Sequence, residues 1–206
     1  SNMKVAVIYD LVKNIRDTMA YIINNFSGPA PTFVKFKILK KYSDIHGDWI
    51  ETGTYEGSMT SRLRGVTNKI VISFEPSKYY YIKSTKRLKV FKNVIVINST
   101  SEEGLPKVVD QVGKSVNFWL DGHFSDKKTY GRKSFCPLRE ELDIISKQYL
   151  NKNNIVIFVD DVRLCSDLQE RDPAYPSVEY LTSWAAKHDF KYIIENDIFI
   201  LKKLNN

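Results

Sequence analysis

Asp48-Trp49-Ile50-Glu51-Thr52-Gly53-Thr54-Tyr55-Glu56-Gly57-Ser58-Met59-Thr60 is the stretch on which the reading of this chain turns. It runs as a short apolar strand, a turn carrying two glycines, and the start of a helix. Such a turn lets backbone approach a ligand closely and aims helix N–H groups at it. The next apolar run, Lys69-Ile70-Val71-Ile72-Ser73-Phe74-Glu75, ends in a carboxylate. A carboxylate at the end of the second of two parallel strands is well placed to accept hydrogen bonds from a ribose diol. The glycine turn and this carboxylate together predict a site for an adenosine-containing cofactor.

Outward from that turn, strand and helix patterns alternate. Strands are expected at 48–51, 69–75, 94–98, 116–121 and 154–160, and helices at 57–64, 77–88, 101–111, 136–150 and 176–188. Repeated β-α units imply a parallel sheet covered on both faces, and right-handed crossovers make it doubly wound. Phe190-Lys191-Tyr192-Ile193-Ile194 and Ile198-Phe199-Ile200-Leu201 are β-rich and joined by Glu195-Asn196-Asp197, the spacing of a tight hairpin. Before the alternation begins, Val5 to Phe26 reads mainly as one helix, although Val5-Ala6-Val7-Ile8-Tyr9 also suits a strand. Ser27-Gly28-Pro29-Ala30-Pro31 is a break, and Thr32 to Tyr42 reads as a second helix.

The 206 residues suffice for one sizeable core, and 43% hydrophobic and 13% aromatic content argue for a packed chain. No apolar run approaches the ~20 residues of a membrane span. The N-terminus lacks a basic-then-apolar export layout, and Ser1-Asn2 ahead of Met3 reads as an expression remnant. A cytoplasmic setting is therefore expected, with Cys136 and Cys165 as reduced thiols. The net charge of +7 includes clusters at Lys35, Lys37, Lys40 and Lys41, at Lys83, Lys86, Arg87, Lys89 and Lys92, and at Lys127, Lys128, Arg132 and Lys133. These read as solvated helix faces or as a surface that attracts anionic acceptors.

The turn also constrains the cofactor. Gly53 and Gly57 are four apart, so the G-x-G-x-x-G dinucleotide pattern is absent, and there is no G-x-x-x-x-G-K-[ST] loop. Glu51 and Glu56 bring negative charge to the turn, which suits a cofactor bearing an ammonium and a sulfonium. The E-x-G-x-x-x-G pattern of Glu51, Gly53 and Gly57 resembles the class I S-adenosylmethionine-dependent methyltransferases. The resemblance spans about residues 44–203 and includes the C-terminal hairpin. It implies an α/β, Rossmann-like, doubly wound, mostly parallel seven-stranded sheet with a C-terminal antiparallel hairpin strand. Residues 1–43 would be an N-terminal helical extension and 44–206 the Rossmann-like domain. It also implies S-adenosyl-L-methionine contacts from Glu51, Thr52, Gly53, Thr54, Tyr55, Gly57, Ser58, Glu75, Ser99, Thr100 and Asp121. Glu51 would lie by the methionine end, Glu75 by the ribose, and Ser99 or Thr100 by the adenine. A helix N-cap at Thr100 or Ser101 explains the last stretch equally well.

Two further strands end abruptly in acid. One is Asn117-Phe118-Trp119-Leu120-Asp121 and the other Ile155-Val156-Ile157-Phe158-Val159-Asp160-Asp161. Adjacent like charges at buried strand ends need a compensating partner. Asp121, Asp160 and Asp161 offer hard oxygen ligands that suit a divalent cation, Mg²⁺ in particular. Alternatively, Asp160 or Asp161 caps a helix or pairs with Arg163 or Lys127. The acidic pattern resembles metal-dependent O-methyltransferases. The Trp119-Leu120-Asp121-Gly122-His123 segment and the later Gly131…Cys136-Pro137-Leu138-x-x-Glu141-Leu142 resemble those of sugar and polysaccharide pathways, including the macrocin type. His123 follows Asp121 on a glycine-softened loop and is the candidate general base, with Asp121 beside it in the catalytic set. A histidine that only hydrogen-bonds locally or orients Asp121 is the alternative. Catechol-type relatives carry a lysine in this loop, whereas Phe124 and Ser125 stand here and Lys127 lies further on.

The function expected is therefore S-adenosylmethionine-dependent O-methylation, on resemblance of a sugar hydroxyl in a glycan or glycosylated metabolite. Two alternatives are an RNA 2′-O-methyltransferase and an inactive cofactor-binding scaffold. The chain has no Asn-Pro-Pro-Tyr or Asp-Pro-Pro-Tyr segment for an exocyclic amine, and Cys136 precedes its proline instead of following one. The expected partners are a small-molecule or glycan acceptor and copies of the chain itself, with no membrane span.

Overall fold

The structure is a computed structural model that describes residues 2–23, 28–121, 136–166 and 172–204. Helices α1 (Asn2–Ile23) and α2 (Thr32–Tyr42) come first. They are followed by β1 (Asp48–Thr52), α3 (Ser58–Gly65), β2 (Val71–Phe74), α4 (Lys78–Leu88), β3 (Val94–Ile97), α5 (Ser101–Val108) and β4 (Ser115–Leu120). Helix α6 (Leu138–Gln148), β5 (Asn154–Val159), a 3₁₀ turn (Val162–Cys165), α7 (Val178–Lys187), β6 (Lys191–Glu195) and β7 (Ile198–Leu204) complete the order. The strand-like Val5–Tyr9 run lies inside α1 and is helical.

The seven strands form one sheet in the order β3-β2-β1-β4-β5-β7-β6. The pairs among β1 to β5 are parallel, while β7 runs antiparallel between β5 and β6. The order reverses between β1 and β4, and a crevice opens beyond the carboxyl ends of strands at such a switch point. The expected doubly wound sheet with its terminal hairpin is thus the observed one.

Strand alternation builds a core on each face. Ile50, Ile72, Phe74, Phe118, Leu120, Ile157 and Val159 point to one side and pack with Leu105, Leu142, Ile145 and Leu181. Trp49, Val71, Trp119, Val156, Phe158 and Ile200 point to the other and pack with Ile38, Leu39 and Leu63. Helix α2 therefore belongs to the second layer: Ile38 and Leu39 are buried, and Tyr42 and Lys41 both bond Glu195 of the hairpin. That packing seats α2 on this face of the sheet. Among the described residues, no helix is long and apolar enough to cross a membrane. Cys136 and Cys165 are buried and form no disulfide.

Candidate active site

The glycine turn leaves β1 at the switch point. Gly53, Tyr55 and Gly57 have φ of 85°, 48° and 77°, so the chain passes three times through the left-handed region within five residues. Gly53 and Thr54 both donate from their backbone N–H to the Phe74 carbonyl, and Gly57 donates to the Thr54 carbonyl. A Cβ on Gly53 would lie 3.2 Å from the Asp121 carbonyl, and one on Gly57 would lie 2.8 Å from Leu88 Cδ1. Glycine at 53 thus keeps the β1 turn and the β4 end in close approach, while glycine at 57 lets α4 pack beneath the turn.

Glu75 leaves the end of β2 toward that turn. Its Oε2 accepts from the Tyr55 N–H at 2.7 Å and its Oε1 from the Ser77 N–H at 2.8 Å. Burial raises its carboxyl above the usual value and these two donors pull it back. Each carboxylate oxygen has a second lone pair, so both remain able to accept a ligand hydroxyl. The Tyr55 ring packs at a 44° tilt against Tyr80 of α4 with centroids 4.4 Å apart, which braces the turn. Ser58, the first residue of α3, is bonded through its hydroxyl and its carbonyl to Arg62.

Glu51 sits one layer below and is wholly buried. Its Oε2 accepts from Thr60 at 2.5 Å and from Ser73 at 2.6 Å, and Ser73 is its register partner on β2. Thr54 Oγ1 lies 2.5 Å from Ser73 Oγ, so the hydroxyls form a relay from the turn to the carboxyl. Burial pushes Glu51 up to about 8 despite those bonds, so the free chain holds it protonated near neutrality. Its Oε1 is buried and makes no hydrogen bond. The negative charge that the sequence assigns to the turn is therefore muted twice, since Glu56 is paired with Lys83 at 2.5 Å.

Beyond β3, Thr100 caps α5 by accepting from the Glu103 N–H, as one of the two sequence readings has it. Ser99 Oγ is buried without a hydrogen bond. Thr52 Oγ1, at the end of β1, is likewise buried. Glu141 of α6 is fully buried near Thr52 and Ser101, and burial pushes it up to about 7.

Asp121, Asp160 and Asp161 converge at the ends of β4 and β5, with one carboxylate oxygen from each lying within 4.8 Å of the others. Asp160 and Asp161 are buried. Asp161 has a left-handed backbone, φ 55°, and its Oδ1 pairs with Arg163 at 2.6 Å. Arg163 also pairs with Asp197 of the hairpin turn. The partner of Asp160 comes from outside the sheet: Lys35 of α2 donates to Asp160 Oδ2. Burial works to lower the Lys35 ammonium, but Asp160 and Asp161 outweigh it and hold it above the usual lysine value. Burial raises Asp160 to about 7, against the pull of Lys35. His123 lies outside the described residues, as do Phe124, Ser125, Lys127 and Gly131.

The turn, Glu75, Glu51 and the carboxylate cluster thus share one end of the sheet. Sequence reasoning missed Lys35, although of the four lysines in Thr32–Tyr42 only it stands three and four residues before Ile38 and Leu39, on their face of the helix. It also missed Ser73 and Thr60. Ser73 left a trace, being a lone hydroxyl in an otherwise apolar strand.

No protein-family model and no curated protein matches the chain. Solved structures do. A protein assigned as an rRNA methylase from Clostridium thermocellum superposes with a TM-score of 0.58 at 14% identity, over 85% of this chain and 97% of that one. An rRNA methylase from Streptococcus thermophilus matches at 0.51 and 14%, over 87% and 99%. A protein assigned as a methyltransferase from Streptococcus mutans, solved in complex with SAH, matches at 0.52 and 16%, over 85% and 98%. At such identities the likeness is one of fold, and that fold is the Rossmann-like methyltransferase fold.

Proposed function

We propose that the chain is an S-adenosylmethionine-dependent O-methyltransferase. The observation that carries the reading is the pairing of the left-handed glycine turn with Glu75 at the sheet's switch point. Backbone that approaches this closely and a carboxylate with free lone pairs suit an adenosine. The buried Glu51 Oε1 lacks a partner, which suits the ammonium of the cofactor's amino-acid end. S-adenosylmethionine, when bound, supplies a methyl group on a positively charged sulfur.

The chain's own part is positioning and proton handling. The turn and Glu75 fix the ribose, and Glu51 orients the amino-acid end. Ser99 is the candidate for the adenine edge, because Thr100 is committed to the cap of α5. His123, two residues after Asp121 in the sequence, is the candidate to take the acceptor's hydroxyl proton at an imidazole nitrogen. Holding acceptor and donor in line contributes most of the acceleration, with a positioned base adding roughly 10²–10⁴-fold. Asp121, Asp160 and Asp161 fit a divalent ion by their hard oxygen donors and their spacing. A bound ion would supply Lewis acidity at the acceptor hydroxyl.

The acceptor we favour is a sugar hydroxyl of a glycan or glycosylated metabolite, on the likeness of the Trp119–His123 segment. The net charge of +7 also favours a second reading, an RNA 2′-hydroxyl. Calorimetry with S-adenosylhomocysteine tests the cofactor site, and methyl transfer from labelled S-adenosylmethionine to a panel of glycans and RNA tests the acceptor. Tight cofactor binding without turnover on any acceptor would favour a scaffold that has lost catalysis.

A further inference from the structure

Lys35 lies 125 residues before Asp160 in sequence and reaches it from α2. Its side chain is 14% exposed, and those of Asp160 and Asp161 are 2% and 5% exposed. The ammonium lies 3.8 Å from Asp161 Oδ1 and 5.8 Å from the centre of the Trp119 ring. It is carried there by packing, since Ile38 and Leu39, on the next turn of α2, are buried in the second core layer. Arg163 is shared between Asp161 and Asp197, whereas Asp160 draws its cation from Lys35. The other oxygen of Asp160 accepts the Asp161 N–H at 2.9 Å. Both oxygens of the central carboxylate are therefore engaged by donors of the chain.

We propose that Lys35 is the resident cation of this cluster, and that its ammonium and a divalent ion are mutually exclusive occupants. The inference rests on the reading of Asp121, Asp160 and Asp161 as an ion site. An ion held by oxygens that converge within 4.8 Å would lie beside the ammonium on Asp160. Two cations at that range in a buried site repel strongly, and both draw on the charge of the same Asp160 carboxylate. Ion entry then requires Lys35 to swing off Asp160, so Lys35 sets the cluster's affinity. Loss of the lysine charge should tighten ion binding, although it removes a contact from the site.

Calorimetric titration of Mn²⁺ into the whole chain, without cofactor, compares wild type with Lys35→Met and Lys35→Arg. Lys35→Met should bind Mn²⁺ about tenfold tighter or more, while Lys35→Arg, which keeps the charge, should stay near wild type. Thermal unfolding should show the same order, with Mn²⁺ stabilising Lys35→Met more than wild type. Adding Asp160→Asn to Lys35→Met should abolish the gain. If Lys35→Met does not fold, Lys35→Gln carries the same expectation. Equal or weaker binding in Lys35→Met overturns the exclusion and leaves the ion site standing. Absence of Mn²⁺ binding in both wild type and Lys35→Met overturns the exclusion and the ion site together. Tight binding that survives Asp160→Asn, or that also arises in Lys35→Arg, overturns the exclusion as well.

Discussion

Replacing Glu51 with Gln keeps the side chain's shape and its acceptor oxygen but removes the group that titrates. In the folded chain, burial lifts Glu51 from an ordinary value of 4.5 to about 8. For a carboxyl raised by folding, the stability contribution is fully present below the unfolded value and is lost as pH rises through the folded one. The loss therefore runs from about pH 4.5 to about pH 8 here. At about 1.4 kcal/mol per pH unit the whole interval is worth at most about 4–5 kcal/mol, of which about 2–3 kcal/mol falls between pH 6 and 9. Glu141, raised to about 7, steepens the same decline, so only the difference between wild type and variant isolates Glu51. Urea unfolding from pH 6 to 9, followed by the fluorescence of the buried Trp49 and Trp119, supplies the comparison. Glu51→Gln should show a decline shallower by about 2–3 kcal/mol. Equal declines would refute the protonated carboxyl. A second readout links the proton to the cofactor: an ammonium arriving at Oε1 draws the proton off Glu51. S-adenosylhomocysteine binding at pH 7 should thus release a proton in wild type and none in Glu51→Gln, seen as binding heat that depends on the buffer's ionisation enthalpy.

If Glu75 holds the ribose as proposed, Glu75→Ala removes a charge-assisted bond worth about 1.5–3 kcal/mol, and calorimetry should show S-adenosylhomocysteine affinity falling roughly tenfold or more. Unchanged affinity would move the adenosine elsewhere. Gly57→Ala places a methyl 2.8 Å from Leu88 Cδ1 at a φ of 77°. It should lower unfolding free energy by about 1–3 kcal/mol and weaken cofactor binding with it. Mg²⁺ should raise activity and EDTA abolish it, and Asp160→Asn should weaken Mn²⁺ binding more than cofactor binding. Activity that survives EDTA intact would make the carboxylates structural. With His123 as base, the rate should rise with pH through the imidazole's titration and level off above it. His123→Ala should lose roughly 10²–10⁴-fold in turnover with cofactor affinity nearly unchanged. Parallel loss of binding and turnover would assign His123 a structural role.

Much of the site's outline was legible because it follows from local rules. Gly53 and Gly57 mark the turn, Glu75 follows directly on an apolar strand, and Asp160-Asp161 follows another. Element bounds moved by up to three residues, and β2 is shorter than its apolar run because Lys69 and Ile70 precede the ladder. The state of the charges was not legible. Glu51 and Glu56 look alike in sequence, yet one is a buried acid, raised by burial and bonded to Thr60 and Ser73, and the other a surface partner of Lys83. Protonation depends on how much water folding removes and on which donors arrive, and neither is a property of the segment itself.

The sequence by itself determined the alternation of strands and helices, the glycine turn, the hairpin and the acidic strand ends, because hydrophobic period and backbone freedom are local quantities. Only the tertiary structure decided that β1 and β4 lie side by side, which brings Gly53 to Asp121. It alone decided that Ser73 faces Glu51 across the ladder. And it alone chose Lys35 from the lysines of α2, because the burial of Ile38 and Leu39 fixes the helix's rotation and so turns that one ammonium toward Asp160.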